Sequence, residues 1–159
     1  MRRGLIAGLL ACGLSACGAQ GEFEWTLSEG PSLELKLAYG VPETDSLGLW
    51  MACSPGSPTV RFGYPGDPEM EVGRRYGERW TTDIHLRSAS SAARYLAHAE
   101  IGDMGASLSA ETGLNDRVLG AFEATGKILV DEMQQDADTD RERQAIRTFF
   151  AGCRVKPAA

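Results

Sequence analysis

Period-two alternation of apolar and polar residues constrains this chain more than any other feature, because it recurs through the first hundred residues and Gly/Pro punctuation cuts it short each time. Leu33, Leu35, Leu37 and Tyr39 alternate with Glu34, Lys36 and Ala38, the pattern of a strand that buries one face. Phe23, Trp25 and Leu27 do the same before the Ser28-Glu29-Gly30-Pro31 turn. Leu47, Leu49, Met51 and Cys53 share a face, which places Cys53 inside and Trp50 on the opposite side. The run Ser54-Pro55-Gly56-Ser57-Pro58 is a turn, and Val60, Phe62 and Tyr64 alternate after it, so 48–64 reads as a hairpin. After a second turn at Pro65-Gly66-Asp67-Pro68, residues 69–75 carry a weaker alternation with Met70 and Val72 on one face. Trp80, Thr82, Ile84 and Leu86 form another strand face. Past Ser88-Ala89-Ser90-Ser91, residues 93–101 read as its hairpin partner or as a weak helix, and the period-two set Tyr95, Ala97, Ala99 and Ile101 favours the strand.

The periodicity changes near residue 114. Asn115 is placed to cap a helix over 116–125, with Val118, Leu119 and Phe122 on one face and Gly126 as its stop. Lys127 to Val130 reads as a short strand. Thr139 followed three residues on by Glu142 is a capping box. The helix it opens carries Ala145, Ile146, Phe149, Phe150 and Cys153 on one stripe, while Glu142, Arg143 and Arg147 read as its solvated face. The expected fold is α+β: an antiparallel sandwich or curved roll of six to eight short strands, covered by two C-terminal helices.

The N-terminus has the layout of an export signal. Arg2 and Arg3 precede an uncharged run from Leu5 to Leu14, far shorter than the ~20 residues a spanning helix needs. Leu14-Ser15-Ala16-Cys17 closes that run and resembles the lipobox of bacterial lipoproteins. Leu9-Leu10-Ala11-Cys12 is a second match, but it would leave an apolar core of only about six residues. The resemblance implies lipidation of Cys17 and cleavage before it. The chain then divides into a signal (1–16), a lipidated N-terminus and short linker (17–22), one globular domain (23–155) and a tail (156–159). In this family an aspartate after the cysteine favours the inner membrane; Gly18 points instead to the outer membrane, facing the periplasm. The five residues Gly18 to Glu22 span about 17 Å at most, holding the domain close to the bilayer.

Cys12 leaves with the signal and Cys17 is consumed by lipid, so Cys53 and Cys153 remain. Two cysteines in an exported domain read most simply as one disulfide, here closing a loop of about 100 residues. Loss of Arg2 and Arg3 lowers Lys+Arg from 16 to 14 against 22 acids, a formal balance of −8. That charge argues against nucleic acid and against electrostatic adhesion to anionic lipid.

No catalytic motif surrounds any serine. Asp83 and His85 share a strand face and could be joined to Ser107 on paper, but His85 and His98 read as surface residues. Asp136, Asp138 and Asp140 open like a calcium loop, yet Arg141 and Arg147 stand where glycine and glutamate belong, leaving these acids weak metal candidates. Trp50 and Tyr64 are the candidates for an interaction surface. The expectation is a non-catalytic, membrane-anchored envelope lipoprotein that needs no cofactor and contacts another envelope protein. A small-molecule or metal binder and a periplasmic hydrolase or inhibitor are the alternatives.

Overall fold

The computed structural model describes residues 21–30 and 33–155. The signal segment, Cys17 and the tail 156–159 lie outside the described residues. Nine strands form a single antiparallel sheet that curls into a half-barrel: β1 (Glu24–Glu29), β2 (Leu35–Gly40), β3 (Leu47–Cys53), β4 (Thr59–Pro65), β5 (Arg79–Ser88), β6 (Ser91–Gly102), β7 (Gly105–Gly113), β8 (Lys127–Val130) and β9 (Met133–Asp136). Their order is β1-β2-β3-β4-β7-β6-β5-β8-β9. Two helices, α1 (Arg117–Thr125) and α2 (Asp140–Arg154), pack on the inner face.

The α+β class holds, with nine strands rather than six to eight and one curled sheet rather than two stacked ones. Two of the added strands are β7 and β9. In β7 the inward positions are Ala106, Leu108, Ala110 and Thr112, and only one of them is a large apolar residue, which gives a faint period. In β9, Met-Gln-Gln-Asp has no apolar alternation at all. The expected strand at 69–75 is instead a short 3-10 helix, Pro68–Glu71, because Pro68 sits in its first turn and the Asp67 carboxylate caps the Glu69 N–H at 2.7 Å.

Both helices begin on side-chain caps. The cap of α1 is Asp116, one residue later than expected: its Oδ1 accepts from the N–H groups of Val118 (2.8 Å) and Leu119 (3.2 Å), and also from the Tyr95 hydroxyl (2.8 Å). Gly126 ends α1 in the left-handed region at φ 69°, which a side chain would resist. Thr139 and Glu142 form the capping box of α2. The inner-face core then fills with Trp25, Leu37, Phe62, Ile84, Leu108, Phe122, Phe149 and Phe150, each essentially inaccessible to water. Phe122 joins the layers, with its ring 4.9 Å from Trp25 and 6.2 Å from Phe150. Cys53 and Cys153 are bonded, their Cα atoms 5.8 Å apart, so the last turn of α2 is riveted to the end of β3.

Glu142 does not lie on a solvated face. It is 4% exposed, and its Oε1 accepts the Trp25 N–H at 3.0 Å while Oε2 accepts from the Thr139 N–H and hydroxyl. The side chain that caps α2 therefore also ties the helix to β1, the edge strand at one end of the sheet. Burial alone would raise the Glu142 carboxyl, but the donated hydrogen bonds outweigh it and hold the group below its ordinary value.

Candidate outer-face trough

Among the described residues no helix or strand covers the face of the sheet away from the helices, and one register row crosses it. Trp50 of β3 pairs with Gly63 of β4, Gly63 with Ser109 of β7, Ser109 with His98 of β6, and His98 with Thr81 of β5. Odd and even positions point to opposite faces, so these five share the outer one. Gly63 and Ser109 contribute almost no bulk, which sinks the middle of the row below its flanks. The Gly63 backbone is crowded by the Leu108 carbonyl and by the Trp50 ring, so a Cβ there would displace the indole. The result is an open trough of about 530 Å³ bounded by Trp50, Arg61, Leu96, His98, Ser109 and Glu111. Trp50 is half-buried in its wall, and Leu96 is exposed on the far side. Arg61 is anchored by an ion pair with Glu34. Aromatic, aliphatic and both signs of charge thus line one depression.

Tyr64 is not part of this surface. It follows Val60 and Phe62 on the inner face, is 5% exposed, and donates its hydroxyl to the Asp131 carboxylate. Burial, then the Asp131 bond and charge, raises the phenol well above its ordinary range. Asp131 sits in the two-residue turn between β8 and β9 at φ 51°, a strained conformation for a residue with a side chain. Its carboxylate also takes the His85 N–H at 3.2 Å, and its own N–H donates to the His85 carbonyl at 2.8 Å. Tyr64 and His85 therefore lock the hairpin down across the curl of the sheet. Tyr64→Phe is expected to cost about 1–2 kcal/mol of unfolding free energy, because it strands part of Asp131; urea denaturation checks this, and an unchanged midpoint would refute the role.

The imagined Asp83–His85–Ser107 set is not assembled. Asp83 faces Arg94, 3.5 Å away. Ser107 lies in the row of Glu100 and Arg79, six positions along β5 from His85, or roughly 20 Å. His85 and His98 both have exposed side chains. A second depression holds His85, Arg87, Arg94, Asp131 and Glu132, and its Asp131 carboxylate is taken up by the His85 backbone N–H and the Tyr64 phenol.

Asp136, Asp138 and Asp140 disperse. Asp136 lies 3.5 Å from Lys127 and Asp140 pairs with Arg143 at 3.0 Å. Among the described residues no group of three His, Cys, Asp or Glu side chains gathers to hold a metal ion. No helix among them is long and apolar enough to cross a membrane.

No protein-family model matches the chain, and neither a curated protein nor a solved structure is significantly similar to it.

Proposed function

We propose that this chain is an exported lipoprotein, anchored through Cys17 and facing the periplasm, whose domain binds another envelope protein through the Trp50 trough rather than catalysing a reaction. The observation that carries the binding half is Trp50 itself. A large aromatic ring stands half-buried on the open side of the sheet, on a floor of Gly63 and Ser109, with no element of the described residues over it. Tryptophan in that setting is the residue type most enriched among the side chains that dominate protein interfaces. The anchoring half is supported by the Leu14-Ser15-Ala16-Cys17 motif, and the Cys53–Cys153 disulfide fits an oxidising compartment. Binding of a small molecule is the second reading, favoured by a trough volume within the range of ligand pockets.

Two measurements test the reading. Fatty-acid labelling is expected to mark the parent and not a Cys17→Ser variant; equal labelling refutes the anchor. Affinity capture from detergent-solubilised envelopes, compared between the parent and Trp50→Ala, tests the trough. Trp50→Ala is expected to lower partner affinity by about 30-fold while changing domain stability by about 1 kcal/mol. Equal recovery with both chains refutes a protein-binding role for Trp50, and a small ligand retained in place of a protein selects the second reading.

A further inference from the structure

We propose that the end of the sheet where the chain enters the domain rests on a lipid bilayer, through Val72, Tyr76 and Met104. The proposal depends on anchoring at Cys17 and adds to it an orientation. Register places the relevant strand ends together. Glu24 pairs with Gly40 and Gly40 with Leu47; Pro65 pairs with Ser107, Gly102 with Gly105, and Arg79 with Glu100. The connections 41–46, 66–78 and 103–104 therefore all lie at one end, and Gly21 reaches that end against Val41.

The 66–78 connection is bonded to the strand ends that flank the 103–104 turn, making one rim. Gly66 donates to the Ala106 carbonyl at 2.7 Å, Gly77 to that of Ile101 at 2.8 Å, and the Glu71 carboxylate accepts the Ala106 N–H at 3.1 Å. On this rim Val72 is 81% exposed, Tyr76 73% and Met104 80%, with Phe23 (45%) at its margin. Apolar side chains this exposed, grouped at one end of the sheet, suit a contact surface. The chain itself indicates which one. Cys17 precedes Gly21 by four residues, about 14 Å of chain at most, so a lipid on Cys17 brings this rim, and not the opposite end, to the headgroups. A tether that short makes a weak apolar contact effectively intramolecular.

Charge decides the kind of surface. Glu43, Asp45, Asp67, Glu69 and Asp103 share the rim with Arg74 and Arg75, and Arg74 is taken up by Glu78 at 2.7 Å and by the Trp80 ring. An acidic rim is repelled by anionic lipid, so the contact is apolar, depends on the anchor, and suits a zwitterionic surface.

Hydrogen exchange on the full chain purified from membranes and reconstituted in phosphatidylcholine vesicles tests this. Amides in 70–78 and 102–106 are expected to exchange about 10-fold more slowly than in a Cys17→Ser chain in solution, while the far turns at 54–58 and 88–91 stay unchanged. Combining Val72→Ser, Tyr76→Ser and Met104→Ser is expected to abolish the protection without altering acylation or circular dichroism. Replacing half the lipid with phosphatidylglycerol is expected to weaken it. An acylated Cys17 peptide beneath an unprotected rim overturns the rim contact alone. An unacylated peptide overturns the anchoring and the contact with it. Protection that requires a co-purified protein assigns the rim to that partner and overturns the lipid contact.

Discussion

Reducing the Cys53–Cys153 bond is expected to lower the unfolding free energy by about 3–4.5 kcal/mol. The bond spans 100 residues, so cutting it releases nearly the whole domain in the unfolded state. Chain-entropy arguments put the upper bound for such a loop at about 4.7 kcal/mol. The folded state loses little at the same time. Phe149, Phe150 and Ile146 remain packed on the inner face, and both cysteines are already buried as small apolar residues. The cost should therefore come mainly from the unfolded chain. Urea titrations with and without reductant measure it, and the reduced protein should also show a larger denaturant dependence, because its unfolded state exposes more surface. A change below about 1 kcal/mol would mean that core packing alone holds α2 on the sheet. Since domains of this size have about 5–15 kcal/mol in total, the bond accounts for much of the margin.

Glu142→Ala is expected to cost about 2–4 kcal/mol, more than an ordinary helix cap, whose loss costs about 1 kcal/mol. The excess reflects a second task. One carboxylate satisfies Thr139 at the start of α2 and the backbone N–H of Trp25 on β1. Truncation leaves that edge-strand N–H buried without an acceptor, beside a tryptophan whose ring packs on Phe122 and, 5.3 Å away, on Tyr39. The pH dependence follows from the sign of the shift. The folded carboxyl lies below its ordinary value of 4.5, so its contribution is complete above that value and is lost as pH falls through the folded one. The stability difference between the parent and Glu142→Gln should hold above about pH 4.5 and shrink as the pH falls below it. A difference that stayed constant through that fall would refute the charged tether.

Much of this fold was legible because it is written in local patterns. The alternation in β2, β3, β4 and β5 required strands, Thr139 with Glu142 required a helix start, and Gly126 required a helix stop. Cys53 and Cys153 could be paired because each sat on an apolar face of its own element. The illegible parts share a physical cause. The strand β7 joins the two halves of the sheet with only one large apolar side chain, because its neighbours β4 and β6 supply the bulk; its own residues need only be small. Glu142, beside two arginines, looked solvated because helical periodicity reports which face a residue is on and not which edge strand will arrive there. Tyr64 looked available for contact because sequence cannot reveal that the β8–β9 turn folds back to meet its hydroxyl.

By itself, the amino-acid order determined the strand faces, the capping box of the last helix, the Gly126 stop, the cysteine partnership and the lipobox-like start, all of which depend on neighbours within a few residues or on residue type. Tertiary structure alone decided that nine strands curl as one sheet, that Trp50 stands over a floor of glycine and serine, and that Val72, Tyr76 and Met104 lie at the end where the chain enters. Those arrangements depend on register between strands distant in sequence, and register is set by the total packing of the inner face rather than by any segment on its own.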